Sequence, residues 1–202
     1  MGAFRLAWMQ LVREKLRLLV AIFGVAFAVI LIFMQLGFQD ALFKSSTLFH
    51  DVLNGEIFLI SPEQDFIAAP KHFSRRRLLQ SLSFAGVESV APVYTGLTLW
   101  KNPVNGSTRS IFVVGVDPSR DVLLLPEVRE QSGLIRRPDA VLFDRASRVE
   151  YGPIAALLDA GQAVATEVAN RRIDVVGLFE MGTSFGIDGT VITSDLNFLR
   201  IF

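Results

Sequence analysis

The sequence predicts an α+β protein with one N-terminal transmembrane helix and a mixed extracytoplasmic body. Three observations carry that expectation. Residues 18–38 form an apolar run without a single charge. Beyond it, short β-branched and aromatic runs alternate with turns built on Gly, Pro and Asn, and a few stretches have helical spacing. The charge is also segregated about the run. Four bases and one acid precede it and sixteen bases and nineteen acids follow it, although the 202-residue chain sums to zero. The body contains about seven short strands and two or three helices, an α+β arrangement rather than regular βαβ.

Residues 1–17 form a basic head. Phe4, Ala7, Trp8 and Leu11 recur at helical spacing, while Arg5, Arg13, Glu14 and Arg17 fall largely off that stripe. The pattern reads as a short amphipathic helix on the inner leaflet, with an unstructured basic anchor as the alternative. Residues 18–38, LLVAIFGVAFAVILIFMQLGF, come next. At about 1.5 Å per residue they span about 30 Å, the thickness of a bilayer's hydrocarbon core. A buried core helix would be shorter and would carry a polar edge. A cleaved signal peptide would have a shorter apolar region and a small-residue cleavage site, which Gln39-Asp-Ala-Leu-Phe-Lys44 does not offer. The excess of bases on the N-terminal side places that side in the cytoplasm and residues 39–202 outside, in the periplasm of a Gram-negative cell. Gly24 and Ala28 form a small-xxx-small pair on which a second helix can pack closely. Gln35 faces either a neighbouring helix or interfacial water.

In the body, helix is expected to continue from Asp40 to about Leu53 and to stop at Asn54-Gly55. Glu56–Ile60 reads as a strand closed by Ser61-Pro62. Residues 74–84 read as a helix with Leu78, Leu79 and Leu82 on its buried side. Residues 87–100 carry one or two strands, with Pro92 at an edge or interruption. Asn102-Pro-Val-Asn-Gly106 is a turn, and residues 94–117 read as a hairpin. Further strands are expected at 140–143, 162–167, 172–179 and 190–193, with a short helix at 154–159.

The chemistry-bearing motifs are few. The absence of cysteine excludes disulfides and thiolate chemistry. Balanced charge argues against a dedicated nucleic-acid binder. No phosphate-binding P-loop and no metal-ligand spacing occurs, so no cofactor is expected. His50 and His72 are too few and too far apart for a metal site, and read as surface residues. Gly182-Thr-Ser184-Phe-Gly186 matches the nucleophile elbow of hydrolases. The elbow needs a helix after it and a histidine downstream, and Ile187-Asp188-Gly189 and the remaining sequence supply neither. Ser184 and Asp188 therefore read as turn formers, and the chain as a non-enzyme. Arg75-Arg76-Arg77 is the densest basic run of the body. It is open to two readings: a docking site for a partner or anion, or a solvated helix start with Ser74 as N-cap.

Several strings resemble the DevC family, the permease subunits of cyanobacterial DevBCA-type ABC exporters, which is similar to MacB-like permeases. They are Arg5-Leu-Ala-Trp8-Met-Gln-Leu-Val-Arg13-Glu-Lys15 and Ile32-Phe-Met-Gln-Leu-Gly-Phe38-Gln-Asp-Ala-Leu-Phe43, then Phe73-Ser-Arg-Arg-Arg-Leu78, Trp100-Lys-Asn-Pro103 and Leu142-Phe-Asp144. Ser184-Phe-Gly-Ile-Asp-Gly189 and Ser194-Asp-Leu-Asn-Phe-Leu-Arg200 complete the set. The resemblance implies a MacB-like periplasmic core and a homodimer in the bilayer. It also implies a separate ABC ATPase subunit, a DevB-like membrane-fusion protein and, through it, a TolC-like channel. Relatives in this family are associated with glycolipid export in heterocyst-forming cyanobacteria. Such permeases carry three further membrane helices, so the chain is expected to be an N-terminal half, with its periplasmic domain incomplete. The alternative from the residues alone is a single-span sensor or adaptor with an extracytoplasmic binding domain.

Overall fold

The computed structural model describes residues 2, 5, 8–9, 13–64, 66–69, 71 and 73–202. Of the expected head helix, Phe4, Ala7 and Leu11 lie outside the described residues, while Trp8 is described and exposed. The chain divides into two compact units, Met1–Lys44 and Ser45–Phe202.

The first long element is α1, Lys15–Asp51, a single helix of 37 residues. It absorbs both the apolar run and the expected continuation, which ends at Asp51 rather than at about Leu53. Every residue from 19 to 41 is exposed. A core helix of a soluble protein would bury one face. Among the described residues α1 is the one helix long and apolar enough to cross a membrane.

The second unit is built on a closed six-stranded barrel. In chain order the elements are α2 (Arg75–Ser81), β1 (Val93–Lys101), β2 (Thr108–Val116), α3 (Pro126–Glu130), β3 (Ala140–Asp144), α4 (Ile154–Asp159), β4 (Val164–Val168), β5 (Arg171–Phe179), β6 (Thr190–Ser194) and α5 (Asp195–Ile201). Around the barrel the strands run β1-β2-β6-β3-β5-β4. β1 and β2 form the expected hairpin, in register from Val93↔Val116 to Lys101↔Thr108. β2–β6 and β3–β5 are parallel pairs; β3–β6 and β4–β5 are antiparallel. Closure falls to two pairs, Trp100↔Val168 and Lys101↔Glu167.

All six strands contribute to one buried cluster, which is therefore the barrel lumen: Trp100, Ile111, Val113, Val141, Phe143, Val164, Val168, Ile173, Val175 and Val191. Alternate residues of β2, β3 and β6 point the other way. Phe112, Val114, Leu142 and Ile192 join a second cluster on the outer wall, with Phe49, Val122, Leu123, Val128 and Ile135. These strands are buried on both faces, which explains why residues 111–116 read as an unbroken apolar run. One end of the hairpin is closed by Trp100 and Tyr151, where the indole N–H donates to the Tyr151 carbonyl at 3.0 Å. The other end is closed by α5. A Cβ added at Gly115 would lie 2.5 Å from Cβ of Phe198, and one at Gly96 2.7 Å from Cζ of Phe202. Only glycine lets α5 approach the two strands this closely.

Two expectations are corrected. Glu56–Ile60 is not a strand, and Ile57, Phe58, Leu59 and Ile60 are all exposed. Its local β-propensity finds no partner, because the closed barrel presents no edge to take it. The expected buried side of the 74–84 helix is also wrong. Leu79 is 61% and Leu82 44% exposed, only Leu78 is half-buried, and the helix stops at Ser81. Two turns are too short to lay a continuous apolar stripe on a core. The strand at 87–100 begins only after Pro92, as a residue without an amide proton requires.

Candidate functional site

The apolar stretch of α1 offers the first candidate surface. Gly24 has no atom within 4 Å of where a Cβ would stand, and Ala28 is exposed, so none of the described residues covers the small-residue face. Gln35 is exposed as well.

The second candidate is the wall of the barrel unit against which the last turns of α1 pack. Phe49 is buried and meets Phe112 edge-on at 5.4 Å between ring centroids. The Phe185 amide donates to Ser45 Oγ. Beyond the helix the chain stays tied. The Asn54 amide donates to Val122 O at 2.8 Å, its side chain to Asp121 O at 2.8 Å, and the Leu124 amide to Val52 O at 2.8 Å. The loop that reaches Ser45 is the Gly-rich 182–189 segment between β5 and β6. Its base is fixed by Asp144, at the end of β3, which has no solvent exposure. Asp144 Oδ1 accepts from the amides of Ala146 (3.0 Å) and Met181 (3.2 Å), and Oδ2 from that of Gly182 (3.0 Å). Burial pushes this carboxyl above the usual carboxylate range; the three amides pull it down but do not prevail. The far end of the loop is fixed by Asp188, which pairs with both Arg109 and Arg148, the latter at 2.7 Å.

These contacts decide the serine motif. Ser184 is half-buried and exchanges two backbone hydrogen bonds with Ile187, at 2.9 and 3.1 Å. A turn and then β6 follow it, where an elbow would start a helix. Asp188 has a larger part than the expected turn former, because its ion pairs tie the loop to β2 and to residue 148. His50 is exposed, with its ring edge-on to Phe58 at 6.1 Å. His72 lies outside the described residues. Among the described residues no group of three His, Asp or Glu side chains gathers as a metal site.

Arg75, Arg76 and Arg77 are exposed at the start of α2, and among the described residues none of them has an ion pair. Ser74 occupies the N-cap position but its side chain makes no capping hydrogen bond. Two open clefts complete the surface. One of about 310 Å³ lies between Val116, Arg120, Asp121, Leu123, Val128 and Ile135. The other, about 400 Å³, is lined by Lys101, Asn102, Thr166, Glu167 and Arg172. Most of their charges are already matched: Arg129 with Asp121, Lys101 with Glu167 at 3.0 Å, Arg120 with Asp117 at 3.4 Å.

The residues that sequence reasoning missed are Asp144 and Asn197. Buried Asn197 donates to the carbonyls of Ile135, Arg137 and Ala140 at 3.0, 2.8 and 3.2 Å and accepts from the Asp139 amide at 3.0 Å. Asn197 sits between Leu196 and Phe198, and Asp144 between Phe143 and Arg145, patterns equally common on surfaces.

The chain matches no family model, and no curated protein is significantly similar to it. What the fold and surfaces define is a class: an α+β chain with, among the described residues, one helix long and apolar enough to cross a membrane, and a closed six-stranded barrel unit whose outer-wall core includes Phe49.

Proposed function

We propose that this chain is the N-terminal part of the permease subunit of a tripartite ABC exporter of the DevC or MacB-like kind, anchored in the inner membrane with residues 39–202 in the periplasm. In this reading it catalyses nothing. A partner ATPase hydrolyses ATP in the cytoplasm, and the barrel unit passes the resulting movement of the membrane helices to a membrane-fusion protein and a TolC-like channel. A lipid-like or glycolipid cargo is then expelled. The observation that carries the proposal is the continuity of α1. The helix that holds the apolar run ends at Asp51, and Phe49 in its last turn is a core residue of the barrel unit. The distributed strings supply the rest of the assignment.

The test is the intact reading frame and its products. The reading expects further apolar segments of about 20 residues downstream and co-purification with an ATPase and a membrane-fusion protein encoded beside it. A frame with no further such segment would sink it and leave the single-span sensor or adaptor.

A further inference from the structure

The body is acidic, yet one part of it is not. Residues 66–87 contain four bases, Lys71 and Arg75 to Arg77, and no acid. The rest of residues 39–202 contains twelve bases and nineteen acids. A segment of charge +4 is thus set in a surround of −7. Within that segment α2 works against its own stability. Three arginines crowd its positive end and no acid stands in its first turn. α5 is also seven residues long and shows the usual solution. Ser194 Oγ accepts from the Asn197 amide, Asp195 stands in the first turn and Arg200 in the last. The contrast leaves the arginines of α2 without a role in holding the helix.

The same short element exposes bulky apolar groups. Leu79 and Leu82 stand three residues apart, on one helical face, and Phe84 follows at 70% exposure. Upstream of α2 the chain is anchored at residues 67–68. Ala68 is buried in the outer-wall cluster, Ile67 packs against it, and Thr95 Oγ1 donates to Ile67 O at 2.9 Å. Exposed leucines and a phenylalanine stand beside three guanidinium groups that have no ion pair among the described residues, and arginine is enriched at binding hot spots. Guanidinium forks match carboxylates geometrically.

We propose that Arg75, Arg76, Arg77, Leu79, Leu82 and Phe84 form a docking surface for an acidic, apolar-faced helix of a partner protein. A bilayer surface fits less well. Interfacial helices are generally longer and more amphipathic than these two turns, and a body of net negative charge opposes anionic headgroups, whereas a partner helix need meet only the +4 segment. The proposal stands apart from the exporter reading, since it requires neither an ATPase nor further membrane helices; either can fail alone.

The experiment uses the full chain in zwitterionic nanodiscs and two labelled synthetic helical peptides, one with Glu opposite a Leu face and one with Lys in place of Glu. The Glu peptide is expected to bind, and less tightly as salt rises. The combined Arg75→Glu, Arg76→Glu and Arg77→Glu variant should lose about tenfold or more for the Glu peptide and gain the Lys peptide. Leu79→Ser with Leu82→Ser should weaken the charge-matched pair in both backgrounds. All five positions are exposed, and an unchanged thermal midpoint verifies that the variants fold. Absence of binding, equal binding of the two peptides, or affinities unmoved by the substitutions overturns the proposal. So does insertion of a fluorophore at Leu82→Cys, unique in this cysteine-free chain, into anionic nanodiscs.

Discussion

Asp144 is a carboxylate in a place where charge is costly. Three amides satisfy its oxygens, and burial still raises its affinity for a proton above that of an ordinary carboxyl. The native state therefore holds this proton more tightly than the unfolded chain does. Its contribution to stability is fully present below the unfolded value of about 3.9 and is lost as pH rises through the raised native value. Replacing it with alanine orphans three amides and should cost about 1–3 kcal/mol at neutral pH. In urea titrations of the full chain in detergent, the gap between wild type and Asp144→Ala should widen as pH falls through the raised native value. A gap that stays constant or narrows would contradict the assigned sign. Asp139 behaves in the opposite way. The Arg171 guanidinium, at 2.6 Å, holds it below the usual range, so its contribution is present above about 3.9 and fades as pH drops further. Arg171 and Asp139 are both partly exposed, so solvent screening keeps that contribution small. Asn197 carries more weight. Asn197→Ala removes partners from an amide and three carbonyls around residues 135–140, and should lower stability by about 2 kcal/mol in the same titration.

At the scale of elements, α5 closes one end of the hairpin and Phe49, in the last turn of α1, packs on the outer wall. Gly115→Ala places a methyl against Cβ of Phe198, where only a movement of α5 relieves it. Overpacking of this kind costs about 1–3 kcal/mol, visible as a lower thermal midpoint. Phe49→Ala should cost about 3 kcal/mol, because a buried aromatic on the outer wall is replaced by a cavity beside Phe112. If its midpoint matched wild type, the last turns of α1 would not be core. Much of this element list was legible. The hairpin and the strands expected at 140–143, 162–167, 172–179 and 190–193 announce themselves by Val, Ile, Phe and Thr between turn residues, and the helix at 154–159 by its Ala and Leu content. Glu56–Ile60 has the same local signature and forms no strand, because pairing depends on a neighbour with an open edge. α2 failed for a related reason. Its leucines have helical spacing, but whether they are buried depends on what lies beneath them.

For the whole molecule, the charge asymmetry about α1 yields a prediction of topology. A reporter enzyme active only outside the cytoplasm, fused after Phe202, should be active, and one fused before Met1 silent. The reverse pattern would invert the proposed orientation. Replacing Arg5, Arg13, Lys15 and Arg17 with Gln should weaken the preference.

Sequence alone determined the apolar helix, the charge division across it, the mixed α+β composition and most strand positions, since these depend on residues adjacent along the chain. Barrel closure through Trp100↔Val168, the assignment of alternate β2 residues to lumen and outer wall, and the buried parts played by Asp144 and Asn197 were decided only by tertiary structure. Each depends on partners 37 to 68 residues away — Asp144 with Met181, Trp100 with Val168, Asn197 with Ile135. No local periodicity encodes which distant groups will meet.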